Sequence, residues 1–207
     1  MIVAIDGPAA SGKGTLARRI AAELKLRYLD TGSIYRAVAL ACLKGGVAPE
    51  DAESATRIAE TLDARQLDDP ALRDPGVGEA ASIVSAHPTV RTALLGWQRR
   101  FAQEEPGAVL DGRDIGTVVC PEADAKLFVT ASPEIRAARR AAEMRGKGHA
   151  VTDEEVLQDI LRRDARDEAR ASAPLRKADD ADLLDTTDLS IEAAFQAALG
   201  IVTRGRI

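Results

Sequence analysis

The chain has 207 residues, 45% of them hydrophobic, and a net charge of −5, which suits one α/β domain with small insertions and excludes two large domains. Acids and bases are interspersed, arguing against a broad nucleic-acid footprint, and no apolar run is long enough to span a bilayer. Cys42 and Cys120 lie far apart with no partner at metal-ligand spacing, so no zinc site or disulfide framework is expected; with no basic leader before the first strand, a cytoplasmic protein with reduced, packed cysteines is expected.

The first predicted strand, Ile2–Asp6, runs straight into Gly7, Pro8, Ala9, Ala10, Ser11, Gly12, Lys13, Gly14 and Thr15. The spacing G-x-x-x-x-G-K is that of a phosphate-binding loop: main-chain amides surround phosphate oxygens, Lys13 reaches the β and γ positions, and a helix begins with its positive end facing the anion. Leu16, Ile20 and Leu24 follow at helical spacing. The loop departs from the strict motif in one place, since Gly14 follows the lysine and the hydroxyl comes at Thr15. A nucleoside triphosphate is the implied donor.

A second strand, Arg27–Asp30, ends in Thr31-Gly32-Ser33, and a helix then opens with Tyr35 and Arg36. An arginine in a first helical turn opposes the helix dipole, so either an anion shares its site or it is simply solvated. Helical pattern follows over 50–62, then an Asp-, Pro- and Gly-rich loop over 63–78, then a helical region to about Glu104. Within that region Ser82 and the segment His87-Pro88-Thr89-Val90-Arg91 mark the end of one helix and the start of another. His87 reads as a surface or cap residue, and Trp97 with Phe101 as core packing.

The third strand, 108–111, leads into Asp111-Gly112-Arg113-Asp114-Ile115-Gly116. An acid at a strand tip beside a phosphate loop can bind magnesium through water, with Arg113 and Asp114 turned into a cleft; a tight turn with a salt bridge gives the same letters. A fourth strand, Ala125–Thr130, precedes Ser132-Pro133 and a helix over 134–144, and the basic, glycine-containing stretch 145–149 reads as a flap over phosphates or as an ordinary connection. Thr152-Asp153-Glu154-Glu155 forms a capping box. The helix behind it carries one stripe, Val156, Ile160, Arg163, Asp167 and Arg170, that changes from apolar to charged, with Arg166 at its edge. The charged half faces a cleft or outruns the core. A last strand is expected over 182–186. Five strands separated by helices imply a parallel sheet, with ligands at its carboxyl ends, where Asp6, Asp30, Asp111 and Asp185 fall.

Together G-P-A-A-S-G-K-G-T, D-T-G-S-I-Y-R, D-G-R-D-I-G and R-R-D-A-R-D-E-A-R followed by Ala173-Pro174-Leu175 resemble the bacterial cytidylate kinases, a family of nucleoside monophosphate kinases, over nearly the whole chain. The resemblance implies a three-layer α/β/α P-loop fold with a five-stranded parallel sheet. It further implies an inserted helical acceptor-binding segment at about 31–104 and a short lid at about 139–153. It implies transfer of the γ-phosphoryl of ATP to CMP or dCMP, giving ADP and CDP or dCDP, with Mg2+. On matching positions, Thr31, Tyr35 and Arg36 belong to the acceptor pocket, and Arg36, Arg113 and Arg170 take the acceptor phosphate. Ser82, Arg91 and Asp114 read the cytosine edge, Arg163 and Asp167 hold the sugar, and Arg139 or Arg140 acts from the lid. Thr15 and, through water, Asp111 hold the metal, and Lys13, Arg113, Arg170 and a lid arginine do the catalytic work. Members of the family often carry a longer insertion with short strands where this chain has only its 63–78 loop. A monomer binding nucleotides, without nucleic acid or membrane, is the expectation. A kinase of another small acceptor such as shikimate, or a nucleotide-dependent switch or ATPase, is the competing reading.

Overall fold

The structure is a computed structural model that describes residues 1–74 and 76–204. Five strands, β1 (Ile2–Asp6), β2 (Arg27–Asp30), β3 (Ala108–Gly112), β4 (Ala125–Thr130) and β5 (Asp182–Asp185), form one sheet in the order β2-β3-β1-β4-β5. All pairings are parallel, and the register sets Asp6 beside Gly112 and Asp30 beside Asp111. Every strand therefore ends on the same edge, and β1 sits at the centre, where the strand order reverses.

Alternation along the central strands sends successive side chains to opposite faces. Val3, Ile5 and Val109 pack with α1 (Lys13–Leu24) and the C-terminal helix Ile191–Thr203 through Leu16, Ile20, Phe195 and Val202. Ala4 and Leu110 face the other way, against α2 (Thr31–Lys44), α3 (Ala52–Glu60), α4 (Val77–Val84) and α5 (Pro88–Gln103). Burial of each large aliphatic side chain in these layers contributes roughly 1.5–3 kcal/mol. The helices α6 (Pro133–Gly146) and α7 (Asp153–Ala169) pack on each other through Ala137, Ala141, Val156 and Ile160, as a separate small cluster. The C-terminal helix is α8, opened by Ser190, whose hydroxyl accepts from Ala193 N.

The stripe on α7 divides as its spacing predicts, Val156 and Ile160 being buried against α6 and Arg163, Asp167 and Arg170 lining a cavity. The capping box is formed, Thr152 Oγ1 accepting from Glu155 N at 3.2 Å while Glu155 Oε2 accepts from Thr152 N at 2.8 Å. The stretch 63–78 differs from the expected loop. It holds two 3-10 turns, Ala64–Asp68 and Pro70–Arg73, each opened by an aspartate whose carboxylate accepts a main-chain N–H, and α4 already begins at Val77. One or two turns are too short to carry a periodic signal. Pro75 of that stretch lies outside the described residues. Likewise α6 runs through Arg145 to Gly146, leaving a shorter connection to α7. Cys42 and Cys120 are buried thiols, as expected, and burial pushes the Cys120 thiol up to about 11. Trp97 and Phe101 pack against the α2–α5 core with ring centroids 6.0 Å apart. His87 Nε2 lies 2.8 Å from the Pro49 carbonyl.

Candidate active site

A cavity of about 780 Å³ opens at the carboxyl edge of the sheet, with the glycine-rich loop on one wall and α2, α4, α5, β3 and α7 contributing the others. Residues 9–15 line it, whereas Gly7 and Pro8 lie behind the loop. Gly7 has φ of 152°, and a Cβ there would stand 2.0 Å from the Val129 carbonyl oxygen, so only glycine lets the loop leave β1 beside β4. Ala10 holds a left-handed φ of 59° within the loop, a strained conformation of the kind found at ligand sites. Among the described residues, the amides of 9–14 have no protein acceptor, and the buried Ser11 Oγ has no partner. Lys13 is buried with Nζ 3.3 Å from the Pro8 carbonyl. Burial first, then the Arg113 charge, pushes Lys13 down to about 7, against the pull of Asp111 and Asp30.

The strand-end acids divide into two groups. Asp30 and Asp111 line the cavity; Asp6 and Asp185 do not. Asp111 is buried and accepts from Tyr28 OH at 2.7 Å, a contact that local sequence reading missed although Tyr28 lies on the adjoining strand. Burial, then the nearby Asp30 charge, raises Asp111 to about 6. Thr31 Oγ1 donates to the Asp111 carbonyl at 2.8 Å, tying the start of α2 to the end of β3. Asp30 caps α2 through Ser33 N and takes Arg36 Nη2 at 2.5 Å. Thr15 is exposed at the lip, and an added Cβ at Gly14 would lie 3.5 Å from Asp111 Oδ2. A hydroxyl and one carboxylate fit Mg2+, which keeps several waters and shares phosphate oxygens; no cluster of three His, Cys, Asp or Glu side chains suited to a protein-only cage exists among the described residues.

The opposite wall is a lattice of guanidinium and carboxylate groups from distant segments. Arg91 on α5 pairs with Asp114 through Nη2 and donates through Nη1 to the Ser85 carbonyl at 3.2 Å. The guanidinium also lies 5.4 Å from the Tyr35 ring centroid. Arg113 Nε meets Asp167 Oδ2 at 2.9 Å. Although burial would raise the Asp167 carboxyl, Arg113 and then Arg170 hold it below its ordinary value. Arg170 caps α7 and donates through Nε to the Asp167 carbonyl at 3.3 Å. Two buried guanidinium nitrogens, Arg163 Nε and Arg170 Nη2, have no hydrogen-bond partner among the described residues. Burial pushes the Arg163 and Arg170 guanidinium groups below their ordinary value.

Three expected residues are engaged differently from the sequence reading. Ser82 lines the cavity, but its hydroxyl accepts from Arg166 Nη1 at 2.8 Å, and Arg166 Nη2 holds Glu79 at 2.6 Å. Arg139 is bound to the end of β5, its Nη1 3.1 Å from Thr186 Oγ1 and its Nη2 2.7 Å from the Thr186 carbonyl. Arg140, half-exposed, pairs with Glu143 at 2.8 Å one turn away. Both arginines line the cavity. Arg136, which the sequence reading did not single out, is buried beneath them. It donates to the carbonyls of Ala131 at 2.9 Å and Ala9 at 3.2 Å and pairs with Asp164 at 2.6 Å, joining the loop to α7.

A five-stranded parallel sheet with helices on both faces, a glycine-rich phosphate loop at its central strand and an arginine-lined wall facing that loop define a P-loop kinase. Known proteins narrow the class. The family model described as "Cytidylate kinase" matches residues 3–204, and the chain belongs to the cytidylate kinase family. A protein of Methylocella silvestris named cytidylate kinase is 59% identical over 98% of this chain and 94% of its own length. One of Rhodopseudomonas palustris with the same name is 57% identical over 98% of this chain and 95% of its own. Among solved structures, an uncharacterized protein from Eubacterium ventriosum shares the fold with a TM-score of 0.58 at 12% identity, covering 98% of both chains.

Proposed function

We propose that this chain transfers the γ-phosphoryl group of ATP to CMP or dCMP, giving ADP and CDP or dCDP, with the two nucleotides entering one cavity from opposite walls. The observation that carries the assignment is that Arg163 and Arg170, each with a buried nitrogen (Nε and Nη2) that has no partner among the described residues, line the same cavity as Lys13 and the free loop amides. Buried donors of this kind call for an anionic or hydroxylic partner.

In this reading Lys13 and the amides of 9–14 hold the donor phosphates, and Thr15 with Asp111, the latter through water, holds Mg2+. Bound there, Mg2+ would neutralise charge on the phosphate oxygens. Arg36, Arg113 and Arg170 take the acceptor phosphate, Arg163 and Asp167 the sugar, and Thr31 and Tyr35 the floor of the acceptor pocket. Ser82, Arg91 and Asp114 meet the cytosine edge, where an exocyclic amino donor stands beside a ring acceptor; uracil presents the opposite pattern. Arg139 or Arg140 acts on the donor side.

Catalysis is positioning and electrostatics: arginines draw the acceptor phosphate into line and neutralise the charge spread over the group in transit. No strong base is required, since the acceptor oxygen is already anionic. The helical segment 31–104 and the lid 139–153 close on the pair, excluding the water that would otherwise take the phosphoryl group. The chain acts as a monomer in the cytoplasm without nucleic acid, in keeping with a net charge of −5 and arginines paired to neighbouring acids. Among the described residues, no helix is long and apolar enough to cross a membrane.

A coupled assay of ADP formation with ATP and CMP, dCMP, UMP, AMP or shikimate tests the reading. CMP and dCMP should have the highest kcat/KM. A preference for AMP or shikimate would overturn it.

A further inference from the structure

Asp6 is the last residue of β1 and the one before the phosphate loop, yet its side chain is buried and turns away from the cavity. Its two oxygens accept main-chain N–H groups, Oδ1 from Ile115 and Oδ2 from Gly116, each at 2.8 Å. Those amides open the single π-helical turn Ile115–Val119, immediately after Arg113 and Asp114. A helical first turn leaves amides without internal acceptors, and Asp114 provides no side-chain cap. Asp6 supplies both acceptors from the neighbouring strand. No cation pairs with it among the described residues, so this buried carboxyl group depends on the two amides for its partners.

The consequence falls on the residues just before the turn. Gly112 packs without room for a side chain, a Cβ there standing 2.6 Å from Thr31 Oγ1 and 2.7 Å from Ile115 Cδ1. Strand end and turn thus pinch the segment Arg113-Asp114 from both sides and leave it pointing into the cavity, with Asp114 against Arg91.

We propose that Asp6 is a positioning residue for acceptor choice: by holding the Ile115 and Gly116 amides to the end of the donor-loop strand, it sets Asp114 against Arg91 and so fixes the discrimination between cytosine and uracil. The proposal rests on the reading of Asp114 and Arg91 as the base-recognising pair.

Asp6→Asn keeps the volume and one acceptor oxygen but turns a donor toward one of the two amides. The measurement is the ratio of kcat/KM for CMP to that for UMP, in which loss of folded enzyme cancels. A fall of the ratio by tenfold or more, arising mainly from a higher KM for CMP, is expected. Asp114→Asn is measured alongside. If that variant lowers the ratio while folded Asp6→Asn leaves it within twofold of the parent, Asp6 serves only the fold and the proposal fails. If Asp114→Asn leaves the ratio unchanged, the base-recognition reading fails and carries the proposal with it. Should Asp6→Asn not fold cooperatively, Gly116→Ala decides, because its Cβ would stand 3.4 Å from Asp6 Oδ2 and 3.2 Å from Lys126 Cδ, disturbing the same clamp mildly. A threefold or larger fall of the ratio supports the proposal, and an unchanged ratio overturns it.

Discussion

The two walls of the cavity present groups of different kinds to a ligand. The loop wall is main chain: a run of amides held by Gly7, Gly12 and the start of α1, with Lys13 as its one charged side chain. The facing wall is side chain, built from α2, α5, β3 and α7, with carboxylates holding nearly every guanidinium group. Main-chain recognition is rigid and indifferent to what carries the phosphate. A lattice of ion pairs can exchange partners, and its residues can be chosen for one base. In the proposed assignment, the choice of acceptor falls to the second wall.

The sharpest break of the comparison is at the single charged residue of the loop wall. Lys13→Ala should lower kcat by roughly 10³-fold while CMP affinity, followed by calorimetry, stays near its parent value. A comparable loss of CMP binding would mean that the two walls are not separate. Next is the tie between the walls. Removing the Arg136 side chain strands Asp164 as a buried charge, so Arg136→Ala should cost about 3–5 kcal/mol in denaturant unfolding, and an unchanged midpoint would contradict that role. Asp114→Asn should reduce kcat/KM for CMP roughly 10²-fold and for UMP far less; equal losses would favour a kinase of another acceptor.

A last effect concerns pH. Burial, against two amide hydrogen bonds, raises Asp6 from 3.8 to about 7, with Asp114 adding to the rise and Lys13 opposing it. Between those values the folded chain keeps a proton that the unfolded chain has lost, so stability falls as pH rises. Relative to Asp6→Asn, the parent should lose stability from about pH 4 to about pH 7, by at most about 1.4 kcal/mol per pH unit, and the difference should level off above that. Thermal melts of both proteins across that range check the sign.

Much of the loop wall was legible in sequence because it is local: a strand, nine residues and a helix carry the whole signal. The α7 stripe was legible for the same reason, as Val156 and Ile160 predict where Arg163 and Asp167 must point. The partners on the facing wall were not. Arg36 is held by Asp30, six residues upstream in the cap of its own helix, a partner that the first-turn position alone did not name. Tyr28 with Asp111, Arg139 with Thr186 and Arg136 with Asp164 join residues whose nearness depends on strand order and on α6 packing against α7, neither of which a local pattern records. The turns within 64–73, opened by Asp63 and Asp69, read in sequence only as part of an Asp-, Pro- and Gly-rich loop.

The strand order also dictates when this enzyme can come into being. Synthesis delivers β1 first, but β1 pairs only with β3 and β4, and β2 pairs only with β3. No strand pair can close until Ala108–Gly112 has been made, past the midpoint of the chain. The nascent protein therefore carries its most apolar strand and five helices without a sheet to receive them, and every strand contact it later makes spans a long stretch of chain. Such topologies fold slowly and are exposed to aggregation while they wait. The phosphate loop, early in the sequence, follows a strand that gains both its neighbours only once β4 has been made.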